Sequence, residues 1–424
     1  MVNRKNEENN DGGFGHKYSA RDLLISASAG MFIWGIIASV APLATQWPFI
    51  SSLPRSYEAV FLAAPSVFLL IGDLVLGKLS DIIGRKAVYV STIILYLIGI
   101  FLIYFAYSVI PLIIGIALAE IGVGGEEVTT LSLISEDIPM KNRGRYLVLV
   151  PDMNNIGSFV IAFLFLYYYS SNIHTQKIYF LVLALATVAL AVYTRTRVPE
   201  SFRWLREKGR QQDAEEIKRE MGIDQDGISV KEPNYAFSII FLGIIGISQY
   251  LTFGLMAYII GPYYFADNPG FTSEIIVYAM AGASVAGFIA MFLVNIGRKR
   301  YSMFSYLGGT ITMVLILIFI GKIGNPSVFL PLLFLNMMFS EFAWASRTTL
   351  EPELFRTNHR SYSIGLVRVF PMLAYIASIY TTSSFSIYQY ILFNLILWGV
   401  GFLATVIWAI YGIETVNISM DLGR

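Results

Sequence analysis

The chain is 424 residues long, 56% hydrophobic and only 14% charged, with a mean hydropathy of +0.62. Soluble domains carry about 25% charged residues, so this composition excludes an ordinary globular enzyme and leaves a polytopic membrane protein. A net charge of +1 indicates no nucleic-acid partner, and the absence of cysteine excludes disulfides, thiolate metal sites and cysteine nucleophiles. The three histidines, His16, His174 and His359, are widely separated, and no metal or cofactor is expected.

Residues 1–21 are polar, lack a secretory leader pattern and are expected to form a cytoplasmic tail. Apolar stretches of roughly 20 residues, enough to cross about 30 Å of hydrocarbon, then recur twelve times. The first six lie near 22–44, 57–79, 87–108, 111–135, 145–169 and 177–195. Residues 77–86, Gly-Lys-Leu-Ser-Asp-Ile-Ile-Gly-Arg-Lys, carry four charges between spans 2 and 3 and are expected as a tight basic turn at one membrane face. Residues 196–234 form the long polar interruption, with i,i+4 charge pairs that predict short surface helices. Six further spans follow near 235–260, 274–295, 301–321, 327–350, 362–384 and 388–412, and residues 413–424 form a C-terminal tail. The expected fold is therefore all-α, with a six-helix bundle over 22–195, a linker over 196–234 and a second bundle over 235–412.

With the N-terminus inside, all but four of the 30 lysines and arginines fall in the tails, the inner loops or the linker. The exceptions are Arg55, Lys177, Lys322 and Arg368. Such a bias places both termini in the cytoplasm of a multi-pass cell-membrane protein. The halves also echo each other. Gly84-Arg85-Lys86 returns as Gly297-Arg298-Lys299, and the Glu136/Arg143 pair returns as Glu353/Arg360 at a similar offset.

The motif Gly77-x-Leu-x-Asp81-x-x-Gly84-Arg85-Lys86 resembles the loop between helices 2 and 3 of major facilitator superfamily transporters. Val198-Pro199-Glu200-Ser201-Phe202-Arg203-Trp204-Leu205 is similar to the signature after helix 6 of sugar porters, with Phe202 at the usual second proline. Gly122-Val-Gly124-Gly125-Glu126, with Ser135-Glu136 and Arg143-Gly144-Arg145, looks like the metabolite–proton symporters. The resemblance implies twelve helices in two pseudo-symmetric bundles and a monomeric carrier for a small organic solute, coupled to protons. Two departures stand out. Span 1 has no acid beyond Asp22 at its edge, and position 118, where sugar porters usually carry arginine, is leucine. The usual sugar-porter proton site is therefore not carried over.

Ionisable groups inside a span are costly unless they face a cavity or a partner, and so mark candidate sites. Glu120, Glu126 and Glu127 in span 4 and Asp152 in span 5 are candidate proton carriers; the alternative is that they pair structurally with inner-loop arginines. At 100° per residue, Glu120, Gly124 and Glu127 share one face of span 4, and Gly122 and Glu126 another. Arg368 is the one basic residue expected well inside a span. It suits a carboxylate-bearing solute or a gate with Asp73 and Asp81. Further candidates for solute binding are Trp34, Gln249, Tyr250, Trp344 and Glu341. Tyr258 shares their spans. Gly77, Asp73, Asp81, Gly84, Arg85, Glu136, Arg143, Glu353 and Arg360 are candidates for a conformational gate. In the second half, Val294 stands where Asp81 stands in the first, so the Asp81 contact is expected to be one-sided. The expected activity is secondary transport with proton symport, leaning to a carboxylate-bearing metabolite. A sugar–proton symporter and a drug or metabolite exporter are the alternatives.

Overall fold

The computed structural model describes residues 19–167, 173–223 and 233–416. The expected tails, the middle of the linker and residues 168–172 lie wholly or largely outside these ranges. Twelve helices are long and apolar enough to span a bilayer: α1 Ala20–Ala44, α2 Tyr57–Ile83, α3 Arg85–Phe105, α4 Val109–Asp137, α5 Met140–Leu166, α6 Ile173–Arg195, α7 Tyr235–Tyr264, α8 Gly270–Ile296, α9 Arg298–Ile318, α10 Pro326–Glu353, α11 Thr357–Thr382 and α12 Ile387–Tyr411. Among the described residues there are no strands. Two short helices of the linker, Phe202–Glu207 and Gln211–Glu220, realise the expected surface helices.

Several helices run beyond their apolar stretches and carry charged residues as their last turns. The expected ten-residue turn at 77–86 is therefore reduced to one residue. α2 stays helical through Ile83, α3 begins at Arg85, and Gly84 alone breaks the helix at φ 113°. Gly297 does the same between α8 and α9 at φ 143°. Only glycine adopts these angles without steric cost.

The helices pack as two similar bundles. In the first, α1 packs on α5 and α6, α4 on α2 and α3, and α3 on α6; the equivalent contacts recur among α7–α12. The bundles meet along two equivalent seams, α2 against α11 and α5 against α8. Small residues let the first seam close: a Cβ on Gly365 would lie 2.6 Å from the Asp73 carbonyl oxygen, and one on Gly77 3.2 Å from that of Ser361. Irregular turns sit beside the central space. Leu255–Ile259 form a π-helical turn within α7, and Pro65, Pro151 and Pro371 lie within the continuous helices α2, α5 and α11, where each removes a backbone donor. Such interruptions release backbone groups and re-aim side chains.

A buried charge cluster beneath a polar cavity

Two adjoining cavities lie between the bundles. The first has Glu120, Asn154, Tyr250, Tyr258 and Tyr375 among its polar lining. The second is lined by Trp34, Asn155, Gln249, Trp344, Arg347 and Arg368, among others, and shares Trp34, Asn154 and Tyr250 with the first. All five aromatic and amide residues read from spans 1, 7 and 10 thus reach the central space. Trp34 and Trp344 meet edge to face with ring centroids 5.7 Å apart, one from each bundle. Tyr250 bonds Ser66 at 3.3 Å and stands edge-on to Tyr375.

The arginines of the cavity are already engaged. Arg368 pairs with Glu127, reaches Glu351 at 3.1 Å and lies 3.9 Å from Asp73. Arg347 bonds Glu351 at 2.9 Å and the Gln249 carbonyl oxygen at 2.7 Å. Three carboxylates thus surround two guanidinium groups, all buried, and the acids outnumber the bases. Arg347, counted among the inner-face charges, and Glu351 both lie inside α10. Their i,i+4 spacing on an unbroken helix was the available signal.

The two faces expected for α4 are those observed. Glu120 and Glu127 point to the centre. Glu126 turns away into the first bundle, where Arg195, Tyr96 at 2.6 Å and Thr92 at 3.0 Å hold it. Glu126 accordingly has no part in the cavity wall. Arg195, counted with the linker charges, is buried inside α6. Both Glu120 oxygens are buried without a hydrogen-bond partner, and no cation is among the groups acting on it. Glu341 is also absent from the wall. It sits behind Asn155, whose amide donates to Glu341 at 2.7 Å and to Asp152 at 2.9 Å.

The gate candidates gather at the face that carries the linker. Asp81 accepts from Arg85 at 2.6 Å and from the Tyr362 amide at 2.9 Å, at the positive N-terminus of α11. Glu136 is shared between Arg85, at 3.2 Å, and Arg360 of the other bundle, at 2.6 Å. Glu353 is likewise shared between Arg298, at 2.9 Å, and Arg143, at 3.4 Å. Each acid therefore ties its own bundle to the other. The one-sidedness expected from Val294 holds for the Asp81 contact, while the arginine–glutamate clasp is doubled.

A further echo reinforces the clasp. Glu200 accepts the Arg85 amide at 2.8 Å, and Ser201 donates to Glu136 at 2.5 Å. Glu414 accepts the Arg298 amide at 2.8 Å, and Thr415 donates to Glu353 at 2.6 Å. The Glu-Ser and Glu-Thr steps are the sequence signal for this pairing. Burial raises the Glu200 carboxyl from its ordinary range, and bonds from the Ser201, Lys86 and Arg85 amides pull it back.

Twelve spanning helices in two equivalent bundles, a polar space between them and a charge clasp closing one end define a membrane carrier. The sequence model of the Major Facilitator Superfamily matches residues 23–379, and the chain belongs to that family. It is 24% identical over 353 residues to the minor myo-inositol transporter IolF of Bacillus subtilis, covering 81% of this chain and 76% of that one. It is 24% identical over 309 residues to the putative niacin/nicotinamide transporter NiaP of the same bacterium, covering 72% and 73% respectively. Among solved structures, the proton:xylose symporter XylE bound to 6-bromo-6-deoxy-D-glucose superposes with a TM-score of 0.76 at 16% identity, over 94% of this chain and 97% of that one. The chain is a multi-pass membrane transporter of small solutes, with the family and fold of a carrier rather than of an enzyme.

Proposed function

We propose that this protein carries a neutral, polyhydroxylated solute of cyclitol or sugar type, together with protons, by alternating access. The observation that carries this reading is the engagement of both cavity arginines. With Arg368 held by Glu127 and Glu351, and Arg347 by Glu351 and Gln249, the positive charge of both guanidinium groups is already matched by protein acids, and only their Nε–H groups lack a partner. An anion would also enter a space where acids exceed bases, at an electrostatic cost. The runner-up reading of the sequence, a sugar-like solute, thus replaces the carboxylate.

The polar groups left unengaged suit hydroxyls. The Asn154 amide nitrogen, the Asn155 carbonyl oxygen and the Glu120 carboxylate are buried without partners beside the tryptophans. Such groups orient a small solute, while the aromatic faces cover its apolar edges. The names of the inositol and xylose carriers agree with this class.

Proton coupling is assigned to the acids that no cation holds, Glu120 and Asp152, rather than to the ion-paired Glu126 and Glu127. The linker face is taken as cytoplasmic, following the distribution of lysine and arginine. The clasp then closes the inner side while the solute binds from outside.

Intrinsic fluorescence tests the solute class. The protein has six tryptophans, of which Trp34 and Trp344 face each other in the cavity. Titration with a neutral cyclitol or hexose is expected to give a saturable change that is lost in the Trp34→Phe/Trp344→Phe double variant. A saturable response to monocarboxylates alone would refute the reading.

A further inference from the structure

Asp152 and Glu341 form an unusual pair. Asp152 lies on α5 of the first bundle, Glu341 on α10 of the second, and both carboxylates hydrogen-bond to a single nitrogen, Nδ2 of Asn155. Asp152 and Asn155 are fully buried, and Glu341 is 1% exposed. The second Asp152 oxygen has no partner. The pair sits at the α5–α8 seam, where Gly287 leaves room for it: a Cβ there would lie 2.0 Å from the Asp152 carboxyl carbon.

Among the described residues, neither carboxylate forms an ion pair. The groups acting on Asp152 and Glu341 are Asn155 and, for Glu341, Asp152 itself. Arg347 pairs with Glu351, Arg298 with Glu353, and Arg145 lies over the Phe292 ring. Tyr301 of α9, a neutral phenol, also lies near Glu341. Two ionised carboxylates at one amide, without a cation, repel each other strongly in a low-dielectric interior, and a single proton between them removes the conflict.

We propose that Asp152 and Glu341 hold one proton in common across the seam between the bundles, and that Asn155 links this proton to the solute. Asn155 belongs to both environments. Its nitrogen holds the two carboxylates, while its carbonyl oxygen has no partner and the residue lines the cavity. A solute hydroxyl donating to that oxygen fixes the amide and thereby the carboxylate pair. Loss of the proton leaves two like charges on opposite bundles and drives the α5 side of the seam apart. Proton release and opening are thus one event, which gives alternating access its coupling. The inference rests on the proton-coupled reading above and assigns the proton a second carboxylate, Glu341, and a relay, Asn155.

Infrared difference spectroscopy of the purified full-length protein tests it directly. In a Glu120→Gln background, which removes the signal of the other unpaired acid, a protonated-carboxyl band at neutral pH is expected to change in frequency or intensity in either Asp152→Asn or Glu341→Gln, each nearly isosteric with the original, and to vanish when both are replaced. Addition of myo-inositol as probe is expected to shift the band in the wild type and to leave it unmoved in Asn155→Ala. A band left unchanged when Asp152 and Glu341 are replaced together overturns the proposal, as does a titration that follows sodium rather than protons. Persistence of the solute-induced shift in Asn155→Ala removes Asn155 from the relay. The proton-coupled reading is judged separately: if an imposed pH gradient fails to drive wild-type uptake, that reading falls whatever the band does.

Discussion

The Arg368→Ala variant is expected to lose solute uptake almost completely and to unfold at a lower temperature than the wild type. Removing the guanidinium leaves Glu127, Glu351 and Asp73 facing one another, with Arg347 the only cation left to the group. Removing one partner of a buried ion pair costs about 3–5 kcal/mol, because the remaining charge keeps its desolvation penalty. Arg368→Lys is expected to rescue poorly, since an ammonium lacks the planar fork that serves several carboxylates at once. Neutralising an acid as well, in Arg368→Ala/Glu351→Gln, is expected to recover part of the stability but none of the uptake. Thermal unfolding and uptake assays on the same preparations separate the two effects. An Arg368→Ala protein of wild-type stability that fails only with acidic solutes would instead make Arg368 an anion hook.

The Glu136→Gln variant is expected to spend more time open at the linker face. Glu136 accepts from Arg85 of its own bundle and Arg360 of the other, and from Ser201 of the linker. Hydrogen bonds to charged groups contribute roughly 1.5–3 kcal/mol each, so loss of the charge shifts the closed–open balance by about tenfold or more. The native chain has no cysteine, which makes a single reporter thiol clean. Ser361 suits it: its hydroxyl lies 2.7 Å from that of Ser132 across the seam between the bundles, fully buried. In a Ser361→Cys background, alkylation is expected to run about tenfold faster with Glu136→Gln. Glu353→Gln, which weakens the equivalent clasp to Arg143 and Arg298, is expected to act the same way. Unchanged alkylation in both variants would mean that the clasp does not hold the face shut.

Much of this architecture is legible in the sequence for a plain reason. Spanning helices must be apolar over a fixed length, and the twelve runs and their basic connections follow from that constraint. The Gly-Arg-Lys echo places Gly84 and Gly297 at equivalent connections, and the helical period separates Glu126 from Glu120 and Glu127. What escaped was the identity of partners. Arg195 lies 69 positions from Glu126, and nothing local marks it as that acid's counter-ion rather than a linker charge. Arg347 was hidden similarly, because a basic residue near the end of an apolar run reads as a membrane-face anchor. The consequence is chemical: taken alone, Arg368 suggests an acid as solute, whereas with Arg347, Glu127 and Glu351 around it, the same residue belongs to a closed cluster. The double clasp was half visible as Glu136/Arg143 and Glu353/Arg360, but its crossed pairing is a property of the assembled bundles.

Charge movement tests the central claim most directly. A neutral solute carried with protons moves net positive charge across the membrane, whereas a monocarboxylate carried with one proton moves none. In proteoliposomes adsorbed to a solid-supported membrane, a step of myo-inositol or a hexose is expected to evoke an inward positive current that grows as the outside is made more acidic. Absence of such a current for every neutral polyol, with electroneutral uptake of a carboxylate under the same gradient, would contradict the account.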